Sequence, residues 1–599
     1  MGRTRRRLAV AAVVGLLACA PALVLTSPGS GSDEEPDARV AQGAVEPPPN
    51  VVLVLADDLG WGDLGTGLVN GGEGNPLVHT PAIDRLAAEG AVFDHAYAGP
   101  NCSPTRMALL TGMAAPRPDN NVFLVGGLDR GGDRELVGPP QGRQDDRLVL
   151  PDDAVTLGEA MQGAGYATSW TGKFHVTRFA EDVVSDHGFD LNLGGTRAGV
   201  VGQYHAQGQE FDRTVFRSLD PWAGDYTREY VDEVVAPFSP DSAAADLDAL
   251  VGTRKHLTDA VADATLAAID AQAAQPFLAV MSHYAVHTPV GPAQPRRDLM
   301  AALDRRAARD DRWTTAEPTS DGEWRGRPGT RPSYAALLEG MDQTVGRLVD
   351  HLESTPDPRR PGEVLADNTV VVLVSDNGGR TDVGGRNRPL RGQKGELDEG
   401  GVRVPWIVWS GDEDLVAGGT VNPTPVDVTD LYPTFLDWAD HQMPARVTPD
   451  GASLTRAVAT GETVPRARFA HLPGYLLAKG RDQRPESAVW RARWKLRYTY
   501  EDRRFRLYDV TDDPGETTDL AARRPELVAE LGEVLLEWLE ETDAPLATLR
   551  RDSAPLRFTV RGAMYSDGRV ESSSRPREVV VRAGEEVPFV LDPVGAERR

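Results

Sequence analysis

The residues of this chain that could do chemistry are one thiol, a few paired carboxylates and a set of basic side chains, each placed where an apolar run ends or a helix begins. The chain has two cysteines: Cys19 in an apolar N-terminal stretch and Cys102 in Asn101-Cys102-Ser103-Pro104-Thr105-Arg106. If that stretch is removed on export, Cys102 has no disulfide partner and its thiol is either inert or reactive. Pro104 lies just inside an expected helix start, where free backbone N–H groups face an anion, and Arg106 adds a permanent cation one turn on. The setting suits a nucleophile acting on an anionic substrate; a small buried core cysteine is the alternative. Asp57-Asp58 and Asp376-Asn377 offer hard oxygen donors, which suit Ca²⁺ or Mg²⁺ better than zinc. Lys173, His175, His287 and Lys394 add cations and proton carriers, Lys394 within a Gly-rich loop (Leu390-Arg391-Gly392-Gln393-Lys394-Gly395) where backbone can approach a ligand closely. Taken one at a time, a solvated turn, a solvated basic loop or a core histidine accounts for each of these.

The elements that must position them make the set more than a coincidence. Val51–Ala56, Thr369–Ser375, Pro276–Ser282 and Tyr166–Gly172 are short, mostly apolar runs that read as buried strands. They end in Asp57-Asp58, in Asp376-Asn377, in His283 followed by His287, and in Lys173-Phe174-His175. Of the two histidines after the third run, His287 stands at the exit and is the stronger candidate. Between the runs lie helical patterns, Pro81–Gly90 with Ile83, Leu86 and Ala87 on one face, and Leu257–Gln272. Strands alternating with helices predict a mostly parallel sheet, whose ligands sit outside the carboxyl ends of the strands. Arg380, Arg386, Arg388 and His205 lie in loops within reach of neighbouring substrate groups, with solvated loop residues as the plainer expectation.

Composition bounds the partners. The chain has 599 residues, 40% of them hydrophobic, and a formal charge of −26. Such acidity opposes binding to nucleic acid or anionic membranes, though not an anion held in a locally basic pocket. Arg3, Arg5, Arg6 and Arg7 precede an apolar run from Leu8 to Leu25, which reads as a cleaved signal peptide over residues 1–27. A membrane anchor is the other reading of that run. Thr4-Arg5-Arg6-Arg7-Leu8-Ala9 resembles a twin-arginine signal, and Leu16-Leu17-Ala18-Cys19 is a weaker lipoprotein site. The expectation is an exported protein with no stable membrane span in the mature form. Residues 28–48 read as a flexible linker.

Cys102-Ser103-Pro104-Thr105-Arg106 with Leu110-Thr111-Gly112 resembles the hallmark of type I sulfatases, in which the cysteine is oxidised to Cα-formylglycine. Asp57–Asp63, Gly172–His175, His187–Asp190, Tyr284–Pro289, Ser375–Gly379 and Leu390–Pro405 are similar to family blocks in the same order, and Trp494–Arg497 and Leu507–Glu516 to its small C-terminal subdomain. Phe174 departs from the more usual Trp. The resemblance spans residues 50 to 545. It implies an α/β, alkaline-phosphatase-like fold: a large mixed, mostly parallel sheet flanked by helices, then a smaller C-terminal α+β subdomain. The domains expected are a catalytic domain over 49–445, the subdomain over 446–547 and an extra β-rich tail over 548–599.

The resemblance further implies that Asp57, Asp58, Asp376, Asn377 and the modified Cys102 hold one Ca²⁺, or Mg²⁺. A hydroxyl of the hydrated aldehyde at 102, activated by the metal, Arg106 and Lys173, attacks sulfur. His287 and Lys394 contact the sulfate and protonate the leaving oxygen, and His175 deprotonates the second hydroxyl so that sulfate is expelled. The implied partners are a sulfated small molecule or polysaccharide and a formylglycine-generating enzyme, which would act before export if the signal is of the twin-arginine type. A phosphonate or phosphodiester hydrolase of the same superfamily and a catalytically silent glycan-binding homologue are the alternatives.

Overall fold

The computed structural model describes residues 47–591, apart from 73, 118–134, 140–149, 151–152, 178, 186, 314–329 and 479–480. The expected signal peptide, nearly all of the linker and the last eight residues of the tail lie outside the described residues. Eight strands build the main sheet: β1 (Asn50–Ala56), β2 (Ala91–Phe93), β3 (Ala167–Gly172), β4 (Leu191–Leu193), β5 (Phe277–Ser282), β6 (Thr369–Ser375), β7 (Trp406–Ser410) and β8 (Thr420–Asn422). Their order is β8-β2-β7-β6-β1-β5-β3-β4. Only β7 runs against its neighbours; the other pairs are parallel. The sheet is mostly parallel, as the alternating pattern predicts, and large and mixed, as the family resemblance implies.

Along β1 every residue is buried, because alternate side chains enter two different cores. Val52, Val54 and Ala56 pack toward Ile83 of α1 (Pro81–Glu89), Leu257 of α3 (Leu257–Gln272) and Leu338 of α4 (Pro332–Ser354). Val51, Leu53 and Leu55 pack on the opposite face toward Met107 and Leu109 of α2 (Cys102–Thr111). Register then assembles the site. Ala56 pairs with Ser375, Leu55 with Ser282, and Gly172 with Ser282, so the next residues, Asp57, Asp376, His283 and Lys173, leave the sheet side by side.

A second, antiparallel sheet contains β9 (Ala467–Leu472), β10 (Glu486–Arg491), β11 (Trp494–Thr499) and β12 (Arg504–Asp509), with α5 (Pro525–Glu541) against it. A three-stranded sheet follows, β13 (Leu556–Ser566), β14 (Arg569–Val581) and β15 (Phe589–Leu591). Its core runs across the boundary expected at 547: Phe558, Tyr565 and Phe589 share one apolar cluster with Tyr498, Leu507 and Leu535. The Tyr498 and Phe589 rings lie 4.5 Å apart, and Val590 N–H donates to the Tyr498 hydroxyl at 3.1 Å. Among the described residues no helix is long and apolar enough to cross a membrane.

Candidate active site

Helix α2 starts at Cys102, where the Asn101 side-chain oxygen accepts the Cys102 N–H at 2.8 Å. All ten of its residues are buried, Arg106 among them, so that guanidinium needs protein partners. Its Nε donates to Asp376 Oδ2 at 2.9 Å, and Nη1 donates to the Lys173 carbonyl at 2.6 Å and to Ser282 Oγ at 2.9 Å. One arginine thereby ties together the ends of β3, β5 and β6. Arg106, singled out in the sequence as an activating cation, is here engaged with the ends of those three strands.

Asp57 Oδ2 meets Lys173 Nζ at 2.6 Å with both side chains fully buried. Asp58 has a φ of 63°. Its Oδ1 accepts from Asn377 Nδ2 at 2.8 Å and from Lys394 Nζ at 2.5 Å, and its Oδ2 lies 3.6 Å from His287 Nε2. Lys394 Nζ also reaches Cys102 Sγ at 3.1 Å. The four regions that the sequence singles out therefore converge with the Gly-rich loop on one pocket. Asn387, which the sequence reading passed over, closes that loop: its Nδ2 donates to Gly379 O at 2.8 Å and Gly392 O at 3.1 Å, while its Oδ1 accepts the Gly379 N–H at 3.0 Å.

Three buried acceptors here, Asp57 Oδ1, Asp58 Oδ2 and Asn377 Oδ1, have no hydrogen-bond partner. Buried oxygens are seldom left so, and a set of hard donors with spare lone pairs fits a divalent cation of the Ca²⁺ or Mg²⁺ kind. Ligating atoms of Asp57, Asp58, Cys102 and His287 all lie within 4.8 Å of one another. Asp376, by contrast, gives Oδ2 to Arg106 and accepts the Asp58 N–H at 3.3 Å with Oδ1.

Burial dominates the proton affinities. It pushes the Cys102 thiol up to about 11, against the pull of Lys173 and Lys394, so as a thiol it is protonated near neutral pH and a weak nucleophile. Burial takes His287 down to about 3, partly opposed by Asp58. It also takes His175 well below the usual range, with Lys173 and Arg106 adding to the effect. Two neutral imidazoles thus face the pocket, His175 with its Nε2 3.4 Å from Ser103 Oγ. His283 is instead held in the core beside Thr344 Oγ1 at 3.3 Å. Of the loop residues named for substrate reach, Arg380 pairs with Asp382, Arg386 donates to Gly74 O, His205 bonds Pro295 O, and Arg388 is exposed.

Comparison with known proteins identifies the family. A family model described as Sulfatase matches residues 49–441. A "Sulfatase" of Formosa agariphila is 34% identical over 526 residues, covering 83% of this chain and 90% of the relative. Human N-acetylgalactosamine-6-sulfatase is 29% identical over 73% of this chain and 71% of its own. Among solved structures, Ps i-CgsB in complex with k-i-k-neocarrahexaose has a TM-score of 0.57 at 23% identity, covering 82% of this chain and 92% of that one. BT4656 in complex with its substrate D-glucosamine-2-N,6-O-disulfate has a TM-score of 0.53 at 19% identity, over 83% and 98%. At these identities the structures bear on the fold, whereas the family model and the sequence relatives identify the chain as a sulfuric ester hydrolase and a member of the sulfatase family.

Proposed function

We propose that this sulfatase removes sulfate from an extracellular sulfated carbohydrate, with Cys102 converted to Cα-formylglycine and one Ca²⁺, or Mg²⁺, in the pocket. The observation that carries the proposal is the convergence of three unpartnered buried oxygens with Lys394, whose Nζ lies between Asp58 and Cys102 Sγ. Asp57, Asp58 and Asn377 have the open donors to hold the cation, with Asp376 and position 102 beside them. The cation supplies Lewis acidity, and the hydrated aldehyde supplies two hydroxyls on one carbon, one to attack sulfur and one through which sulfate is later expelled. Lys173 and Lys394 balance the charge of a bound sulfate, and Arg106 keeps the ends of three strands in register beneath it. His287, neutral in the free enzyme, takes up a proton as the sulfate anion binds beside it and gives that proton to the leaving oxygen, and neutral His175 takes one from position 102.

A carbohydrate substrate is supported by relatives named for an amino-sugar sulfate and by fold relatives solved with a neocarrahexaose and a glucosamine disulfate. A formylglycine-generating enzyme is the maturation partner, and export follows from the N-terminal reading. The catalytic unit is taken as residues 49–445, the C-terminal subdomain as 446–547 and the tail as 548–599, its described strands up to Leu591 joined to the subdomain's core. Side-by-side turnover of an aryl sulfate and an aryl phosphonate by the purified protein tests the reaction class. A clear preference for the sulfate is expected; a preference for the phosphonate would move the assignment to a phosphonate hydrolase.

A further inference from the structure

A single stretch of loop, Thr196–Tyr204, touches both histidines of the pocket. At its start the Thr196 carbonyl accepts the His175 N–H at 2.8 Å. In its middle Gly199 lies against the His175 ring: a Cβ there would stand 2.3 Å from both Nε2 and Cε1. Gly199 is outside the left-handed region, so it is needed for space and not for backbone freedom. At its end the buried Tyr204 hydroxyl is shared between the Tyr284 carbonyl at 2.6 Å and the His287 carbonyl at 2.8 Å.

This stretch is pinned along its length. Thr196 Oγ1 donates to Thr214 O at 2.6 Å. The Gly202 and Gln203 N–H groups donate to Asp212 Oδ2 at 2.8 and 3.2 Å. Gln294 Oε1 accepts the Tyr204 N–H at 3.1 Å, and Leu257 N–H donates to Tyr204 O at 2.7 Å. Its outward residues, Arg197 and Val200, are exposed. An exposed wall with this many anchors holds its inner face at a fixed distance from the His175 ring and the His287 backbone.

We propose that Thr196–Tyr204 is a clamp in which Gly199 and Tyr204 are positioning residues, Gly199 for His175 and Tyr204 for His287. The inference rests on the histidine roles given above. It differs from them in assigning each of the two proton transfers its own support, on one loop outside the pocket's charged residues. Because the supports are separate, each can be loosened alone and should affect a different step.

The test compares Tyr204→Phe and Gly199→Ala with the wild-type holoenzyme on phenyl sulfates of graded phenol acidity. If His287 is misplaced, Tyr204→Phe loses roughly tenfold or more on unsubstituted phenyl sulfate relative to 4-nitrophenyl sulfate, whose phenolate leaves without a proton. If His175 is displaced, Gly199→Ala lowers kcat and KM together and leaves kcat/KM nearly unchanged, because His175 acts after the alcohol has left. Exchange of the imidazole C2 protons, followed by mass spectrometry, supplies a readout that needs no turnover. It should change at His175 in Gly199→Ala and at His287 in Tyr204→Phe. Wild-type exchange at both histidines in both variants would overturn the clamp, as would equal losses across the phenol series with a lowered unfolding midpoint. A wild-type protein inactive on every sulfate ester would instead sink the reading of the site, with the exchange data still deciding the clamp.

Discussion

Lys173 and Lys495 are both fully buried lysines set against carboxylates, and their surroundings differ in one respect. Lys495 Nζ stands 3.1 Å from Glu399 Oε1 and 2.9 Å from Glu516 Oε1. Glu399 also accepts Trp490 Nε1–H at 2.6 Å and the Tyr97 hydroxyl at 3.1 Å, while Glu516 Oε2 accepts the Glu399 N–H at 2.9 Å. Three of the four carboxylate oxygens of that pair accept hydrogen bonds, and the fourth, Glu516 Oε1, is met by its ion pair with Lys495. Around Lys173 the same residue types leave Asp57 Oδ1, Asp58 Oδ2 and Asn377 Oδ1 open. The first cluster is closed on itself and joins the second sheet to the helix-forming turn at Glu399. The second pairs Asp57, Asp58 and Asp376 with Lys173, Lys394 and Arg106 and still leaves three buried acceptors open, the ones the proposed cation would use. Buried charge alone does not mark a site; unanswered buried charge does.

The largest break in that comparison comes from the open cluster's nucleophile position. Cys102→Ala should lose roughly 10⁴-fold or more in turnover of an aryl sulfate, with little change in the denaturation midpoint. His287→Ala should cost about 10²- to 10⁴-fold, least on the most acidic leaving groups. The closed cluster should respond in the opposite way. Lys495→Met removes the nearest cation from two buried carboxylates and should cost about 3–5 kcal/mol of stability, read as a lower denaturant midpoint. Ca²⁺ sharpens the contrast. At a hundred times its Kd it should add about 2.7 kcal/mol to the wild-type protein, nothing to Asp58→Asn, and should not recover the Lys495→Met loss.

Much of this was legible in the sequence because strands buried on both faces have no polar residues to hide their limits. Val51–Ala56 and Thr369–Ser375 stop where Asp57 and Asp376 begin, and parallel register carries those ends to one edge. Leu257–Gln272 is helical over the residues its pattern marks. Asp57, Asp58, Asp376, Asn377, Lys173 and His287 stood out as strand-end groups, whereas singling out Lys394 needed the family resemblance, since a lysine in a glycine-rich loop has a solvated explanation. Asn387, Gly199 and Tyr204 were not legible. Their contacts are with backbone and ring atoms far along the chain, and no periodicity or spacing encodes a hydrogen bond from residue 204 to the carbonyl of 287. Nor did the pattern place β7, whose antiparallel run Trp406–Ser410 is short and apolar without a preceding helical stretch to mark it.

The smallest expected effect lies beside the open cluster. Burial raises the Asp63 carboxyl to about 7, even though it accepts the Tyr334 hydroxyl at 2.6 Å and the Gly60 and Arg386 N–H groups at 2.7 Å. Between the unfolded value and about 7 the folded chain keeps a proton that the unfolded chain has released, so this group's contribution to stability falls as pH rises through that window. The stability disadvantage of Asp63→Asn relative to wild type should therefore shrink from pH 4 to pH 7, measured as the difference in unfolding midpoints. A pH-independent difference would remove Asp63 from the account.

The central claim is that the working form of position 102 is not a thiol, and mass spectrometry of the peptide containing it, from protein made in the native host, tests that most directly. A species ~18 Da lighter than the cysteine peptide is the predicted result, the thiomethyl group having become an aldehyde. A peptide found wholly as intact cysteine would contradict it.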